Sequence, residues 1–401
     1  MAEERFKQVT GLPTPGAMLR LIRDGEATTR ADLAQLTGLA RSTVAQRVDA
    51  LISSRLVRET SEGASTGGRP PAVLAFNQGA GVILAADLGA THSRLAVTDL
   101  AGVVLAETAS EMNIAEGPKV VLDWLEGTFQ GLLTEMGRSV ADVRGIGIGV
   151  PGPVEFATGR PVSPPIMPGW DGFPIPERFE SFSVPVLVDN DVNIMALGEH
   201  WSHWRETDHL IYIKVGTGIG CGIVAGSTIH RGAQGAAGDI GHIRVTDDPS
   251  VVCACGNIGC VEAIAGGGAL ARQLSNLGFQ AETGRDAVAL VRAGNPEAVR
   301  LVRQAGRFLG EVLAAATNFF NPGVIVIGGD VAHAHEQLFA GVRETVYQRS
   351  LPLATRHLRI ARSELGDRAG IIGAAVMIIE RLFSPEAVDD ALAAQAEAST
   401  A

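Results

Sequence analysis

The sequence predicts an α/β chain in which a small helical head with a wing precedes a two-lobed body. Three observations lead there. Residues 15–53 hold three short amphipathic segments separated by turn residues, and two strand-like runs follow. From Gly81 onward a plan of strand, Gly/Thr turn, hairpin and helix occurs twice. Each copy carries a turn small enough for a phosphate, around Gly89–Thr91 in the first and Gly216–Gly220 in the second. Two such lobes facing a cleft form the actin-like, ribonuclease-H-like ATPase architecture. The expected division is a winged helix-turn-helix domain over 1–78, a two-lobed domain over 79–384 and a tail over 385–401.

The chain has 401 residues, 46% apolar and 19% charged, as soluble globular proteins do. No apolar run reaches the roughly 18 residues of a membrane span. The N-terminal MAEERFKQVT is charged and lacks an apolar core, so a cytoplasmic protein with no membrane partner is expected. Net charge is −11, unevenly spread. Residues 1–80 hold 10 Lys and Arg against 8 Asp and Glu, leaving 23 against 36 in the remainder. Any nucleic-acid contact is therefore expected in the head.

In the head, Pro15 to Gly25 opens with Pro and closes with Gly, as a short helix does. Thr29 and Asp32 form a capping box with Asp in the Glu place, starting a second helix through Leu36. After a turn at Gly38, residues 40–53 form a third helix with Val44, Val48, Leu51 and Ile52 inward. Arg41, Ser42, Thr43, Gln46 and Arg47 then face outward near its start, which is the helix-turn-helix pattern. Strands over 56–60 and 73–76 flank a Gly/Ser/Thr tip, a wing whose Arg69 can reach a minor groove. A helical module that packs against protein is the competing reading. Operator DNA is preferred because the polar helix start and the Arg-bearing wing occur together.

The densest chemistry lies in Gly238–Glu262. His242, Cys253, Cys255 and Cys260 fall within twenty residues and include three of the chain's four cysteines. Three thiolates and one imidazole complete a tetrahedral set for structural zinc, in a loop over 242–260. A reduced cysteine-rich loop is the alternative. Asp239 and Glu262 flank the set, and carboxylates beside a metal-pinned histidine make a pocket for a hydroxylated ligand.

Elsewhere in the body, Asp87 ends the first strand and Gly89 and Thr91 follow; alone this is a common glycine hairpin. A strand over 184–188 runs into Asp189-Asn190-Asp191-Val192-Asn193 and a helix over 194–204. A carboxylate there is placed to be a general base, and Asp or Asn there also caps helices. Further segments are a strand over 210–220, its hairpin partner over 221–229, a strand over 324–329 and an apolar helix over 369–382. The Ala/Glu/Asp-rich tail carries no visible chemistry.

From about Pro15 to Leu382 the chain resembles the ROK family (repressor, open reading frame, kinase). HIRV…CACGNIGCVE, GAAGDIGH, NDVN and GTGIG carry the resemblance. The winged head is similar to that of the family's repressors. The resemblance implies Asp191 as the base that activates a sugar hydroxyl toward ATP, with Mg²⁺. It implies Asn190, Asp191, Asp239, His242 and Glu262 around the sugar. It implies Gly89 and Thr91, then Gly216, Thr217, Gly218 and Gly220, at phosphates, and Gly328 and Gly329 at adenosine. Three positions depart from the family's kinases: Ile166 stands for a sugar-binding Asn, Asp239 for Glu, and Gly89-Ala90-Thr91-His92 for Gly-Gly-Thr-Lys. An unmet hydrogen bond at a buried hydroxyl costs about 1–3 kcal/mol. A transcriptional regulator, a repressor answering to a sugar or phosphosugar as a homodimer or homotetramer, is therefore favoured over an ATP-dependent sugar kinase with a DNA-binding head. A scaffold with a dead pocket ranks last.

Overall fold

The computed structural model describes residues 13–60 and 72–400. Arg69, named above for the wing, lies outside the described residues.

In the head, Pro15–Arg23, Arg30–Thr37 and Arg41–Ser53 are helices. The Thr29 hydroxyl and the Asp32 carboxylate make the expected reciprocal cap, and Gly38 turns the chain at a positive φ of 69°. Val57–Thr60 pairs antiparallel with Val73–Phe76. Arg30 fastens the unit by reaching Asp49 at 2.8 Å and also Glu59.

The body's duplication appears as two five-stranded sheets of identical order. In the first lobe the order is Val104–Ser110, Ser93–Asp99, Val82–Leu88, Val143–Val150, Val186–Asn190. In the second it is Thr228–Ile229, Ile219–Ala225, His209–Val215, Val324–Gly328, Arg359–Arg362. Within each, the first three strands form an antiparallel meander and the last two lie parallel to its innermost strand. The expected two-lobed architecture is thus present. The strand expected over 184–188 is displaced by two residues, so Asp189 and Asn190 end it and Asp191 begins the next helix.

That helix, Asp191–His203, packs along Ala369–Leu382. Their backbones meet at Gly198 and Gly373, where a Cβ on Gly373 would fall 2.9 Å from the Gly198 nitrogen. Only glycines admit an approach this close. On its other side the first helix lies on the second lobe: a Cβ on Gly220 would fall 2.6 Å from Val192. The helix therefore joins the two lobes at the base of the cleft.

The tail is a helix, Pro385–Thr400, and it packs on the first helix of the head. The Asp389 carboxylate accepts the Gly16 N–H at 2.8 Å, capping the Pro15–Arg23 helix from 373 residues away. Phe383 meets Phe76 edge-on, with ring centroids 5.2 Å apart. Met18, Leu33, Val44 and Val48 of the head share one buried cluster with Ile371, Ile378 and Val388. Among the described residues no helix is long and apolar enough to cross a membrane.

Candidate functional site

The cysteine-rich loop is built by turns and bridges. Val252 pairs with Ile258, and Arg244 with Cys260, drawing the ends of the loop together. Gly256 and Gly259 turn at φ of 86° and 80°. The side-chain donors of His242, Cys253, Cys255 and Cys260 then lie within 4.8 Å of one another. Cys253 Sγ is 3.5 Å from His242 Nδ1, and Cys255 Sγ is 3.8 Å from Cys260 Sγ. A tetrahedral zinc–thiolate site has sulfur–sulfur edges of about 3.8 Å, so the donor set and its spacing fit a structural zinc. The Asn257 backbone N–H draws the exposed Cys255 thiol down to about 7, nearer the thiolate a metal needs.

His242 uses Nδ1 toward the cysteines, which leaves Nε2 for the cleft, 3.8 Å from Asp239 Oδ1. The Asp239 side chain is 67% exposed and open to a ligand. Glu262, in the short helix Val261–Ala265 that follows Cys260, turns back to the second Gly/Thr turn. Its Oε2 accepts the Ile219 N–H at 2.9 Å. A Cβ on Gly241 would fall 3.4 Å from the same oxygen. Asp239, His242 and Glu262 are thus brought together with the Gly216–Gly220 turn.

The turn itself is a scaffold. Gly216 accepts the Gly267 N–H at 2.8 Å and Thr217 the Gly268 N–H at 3.0 Å, anchoring the helix Gly267–Asn276. Gly328 ends the strand beside it, and Gly329 follows at φ of 85°, where a Cβ would fall 2.7 Å from the Val215 carbonyl oxygen. In the first lobe, the Gly89 N–H donates to His92 O at 2.9 Å, and exposed Thr91 Oγ1 lies 2.7 Å from His92 Nδ1. His92, standing where the kinases carry Lys, is engaged with the turn's own hydroxyl. Ile166 is 46% exposed, whereas Trp170 of the same segment is buried and donates Nε1–H to Ile114 O at 3.0 Å.

The five residues after Val188 divide their work. Asn190 is the helix cap: its Oδ1 accepts the Val192 N–H at 2.9 Å, and its Nδ2 donates to Gly152 O at 3.2 Å. Asp189 accepts from Asn193 Nδ2 at 2.8 Å and from Arg231, which stacks over Phe156 at 3.6 Å. Asp191 is 5% exposed and its Oδ2 accepts from Lys214 Nζ at 2.6 Å. Lys214 was not foreseen. Its signal was a lone cation inside the apolar strand HLIYIKV.

Asp87 lies beside this pair. It is 8% exposed, and its Oδ1 has no hydrogen-bond partner among the described residues. Burial pushes its carboxyl up to about 7, with Lys214 and Arg94 opposing and Asp191 and Asp367 reinforcing. The unfolded chain releases this proton near 3.8, whereas the fold keeps it. Stability is therefore full below about 4 and falls as pH rises to about 7, where the folded carboxyl ionises. Asp87→Asn is expected to flatten that slope, which urea midpoints at pH 5 and pH 7.5 will read.

In the head, Arg41, Ser42 and Gln46 are exposed at the start of the third helix, and Thr43 is half-buried. Arg47 is half-buried too, and its guanidinium donates to the Pro13 carbonyl. It holds the head together as well as facing outward. Exposed Arg58 on the wing strand adds a cation that the sequence reading did not single out.

These features have counterparts among known proteins. The ROK family model matches residues 83–381, and a winged helix-turn-helix DNA-binding model matches residues 14–58. The chain is similar to the xylose repressor of Caldicellulosiruptor bescii, 32% identical over 385 residues, which cover 92% of this chain and 95% of that protein. It is similar to the crystal structure of a ROK family transcriptional regulator, a homolog of the E. coli MLC protein, with a TM-score of 0.81, 27% identity and coverage of 94% and 98%. It is also similar to a ROK family glucokinase from Streptomyces griseus in complex with glucose and AMPPNP, with a TM-score of 0.65, 28% identity and coverage of 74% and 99%. The chain belongs to the ROK family and carries a winged helix-turn-helix head in front of the family's body.

Proposed function

We propose that the chain is a sugar-responsive transcriptional repressor in which the body receives a sugar and the head releases operator DNA. One observation carries this reading. The helix Ala369–Leu382 begins against Asp87 in the cleft, where a Cβ on Gly370 would fall 2.7 Å from the Asp87 Cβ. It ends at Phe383, against Phe76 of the head. Its 14 residues span about 21 Å as one rigid rod. Movement of the lobes about the cleft is thereby passed to the DNA-binding surface.

The sugar pocket is Asp239, His242 and Glu262, with Asp191 and Asn190 at its far wall. Zinc bound by His242, Cys253, Cys255 and Cys260 supplies a fixed, closed loop that holds His242 and Glu262 in place. Xylose is the first sugar to try, because full-length relatives are named xylose repressors. A soluble protein acting on an operator as a homodimer or homotetramer completes the reading. The kinase alternative draws support from Asp191 and from glucokinase relatives. Against it stands the engagement of Asp191 by Lys214.

Fluorescence anisotropy of the full chain on its own promoter DNA tests the proposal. Arg41→Ala is expected to weaken binding by about 1–3 kcal/mol, about five- to 150-fold, without changing the melting temperature. A pentose or hexose is expected to release the wild-type complex without ATP. Unchanged DNA affinity in Arg41→Ala together with no sugar effect would refute the reading.

A further inference from the structure

We propose that Lys214 is a built-in cation that closes the cleft to the divalent metal of Mg-ATP: its ammonium supplies, between Asp87 and Asp191, the positive charge that a metal ion would otherwise bring. The inference rests on the sugar-receptor reading and says how the nucleotide half of the site was silenced.

Carboxylates at the floor of a cleft that also holds Gly/Thr turns are what a hard divalent cation and its phosphates require. Here they come from Val82–Leu88 and from the start of Asp191–His203. Asp87 stands in register with Gly149, and Gly149 with Asp189, two residues before Asp191, so at this level the middle strand carries no side chain. A Cβ on Gly149 would meet Ile194 and lie 3.4 Å from the Asp191 Cα, so the start of the Asp191–His203 helix rests directly on the middle strand. Lys214 reaches Asp191 from the opposite lobe, out of the strand His209–Val215, and places Nζ 2.6 Å from its Oδ2.

The charges then balance without a metal. Lys214 pairs with Asp191, and burial favours the neutral form of Asp87, whose Oδ1 has no hydrogen-bond partner among the described residues. A divalent cation entering here would meet the ammonium at close range, and like charges about 4 Å apart repel by several kcal/mol in a partly buried site. Mg-ATP therefore does not fit these residues. The ion pair also ties one lobe to the other, so a sugar can act on the cleft with no nucleotide to close it.

Mn²⁺ binding to the full-length, zinc-loaded chain, read by electron paramagnetic resonance at pH 7.5 with and without ADP, tests this. The wild type is expected to show no site tighter than about 1 mM. Lys214→Met is expected to gain one site per chain, tighter by about tenfold or more, and to lose it again when Asp87→Asn is added. A sub-millimolar wild-type site that disappears in Asp87→Asn overturns the proposal, as does a folded Lys214→Met with no gain. If Lys214→Met does not fold, the wild-type and Asp87→Asn titrations decide by themselves. Sugar-driven release of operator DNA by the wild type, measured without nucleotide or divalent cation, reports separately on the receptor reading.

Discussion

Cys260→Ser is expected to lose the metal and the sugar response together while the head still binds DNA. Cys260 is fully buried, next to Cys255 at 3.8 Å and within 3.5 Å of the His242 carbonyl. Structural zinc contributes about 10–16 kcal/mol of folding free energy in small peptides, more than the loop's few apolar contacts can supply. Without it the turns at Gly256 and Gly259 have nothing to close around. Glu262 follows Cys260 by two residues and reaches the Ile219 N–H, so opening the loop pulls the pocket carboxylate from the second turn. Zinc content by atomic absorption is expected to fall from about one per chain to below about 0.1, and proteolysis to cut within 243–259. The head's core is remote from the loop, so DNA affinity without sugar stays within about threefold. A mutant that keeps one zinc per chain would remove the site.

Val388→Asp is expected to uncouple head from body. Val388 is 2% exposed and packs in the cluster that joins the head to the Ala369–Leu382 helix. A carboxylate placed there is set among apolar side chains and costs several kcal/mol unless the tail helix lifts away. With the tail gone, the Gly16 N–H loses the Asp389 carboxylate, and the first helix keeps only the Thr14 hydroxyl at its start. The second lobe and the outer face of the first should still fold, because their cores are separate clusters. Operator affinity is expected to fall about tenfold or more, and sugar is expected to change it little. Asp389→Asn, which keeps the packing and weakens only the cap, should cost about 1 kcal/mol or less. Equal sugar response in Val388→Asp and wild type would remove the proposed transmission route.

Local chemistry made much of this legible in the sequence. Thr29 and Asp32 announce their helix, Pro15 and Gly25 bracket theirs, and Ala369–Leu382 reads as one apolar helix. The repeated strand and turn plan foretells two sheets of the same order. The metal loop is legible because its ligands are close in sequence.

What sequence could not tell depends on contacts far along the chain. The DNDVN stretch holds four residues able to cap and two able to act as bases, and only the displaced strand end decides that Asn190 caps and Asp191 faces Lys214. The Lys214–Asp191 pair crosses between lobes. The Ala-rich tail has an ordinary helical composition, and its partner, Gly16, lies at the other end of the chain. The long helix Pro296–Phe320 and its neighbour His335–Arg349 form much of the second lobe's outer layer and went unassigned. Their apolar stripes were there to be found.

The most direct test of the central claim, that the body is a sugar receptor and not a kinase, is ADP release from Mg-ATP by the purified full chain with xylose, glucose and N-acetylglucosamine. Lys214 on Asp191, His92 on Thr91 and the exposed Ile166 all predict no turnover above the rate of Asp191→Asn with any sugar. Sugar-dependent ADP release that disappears in Asp191→Asn would contradict the account and make the chain a kinase with a DNA-binding head.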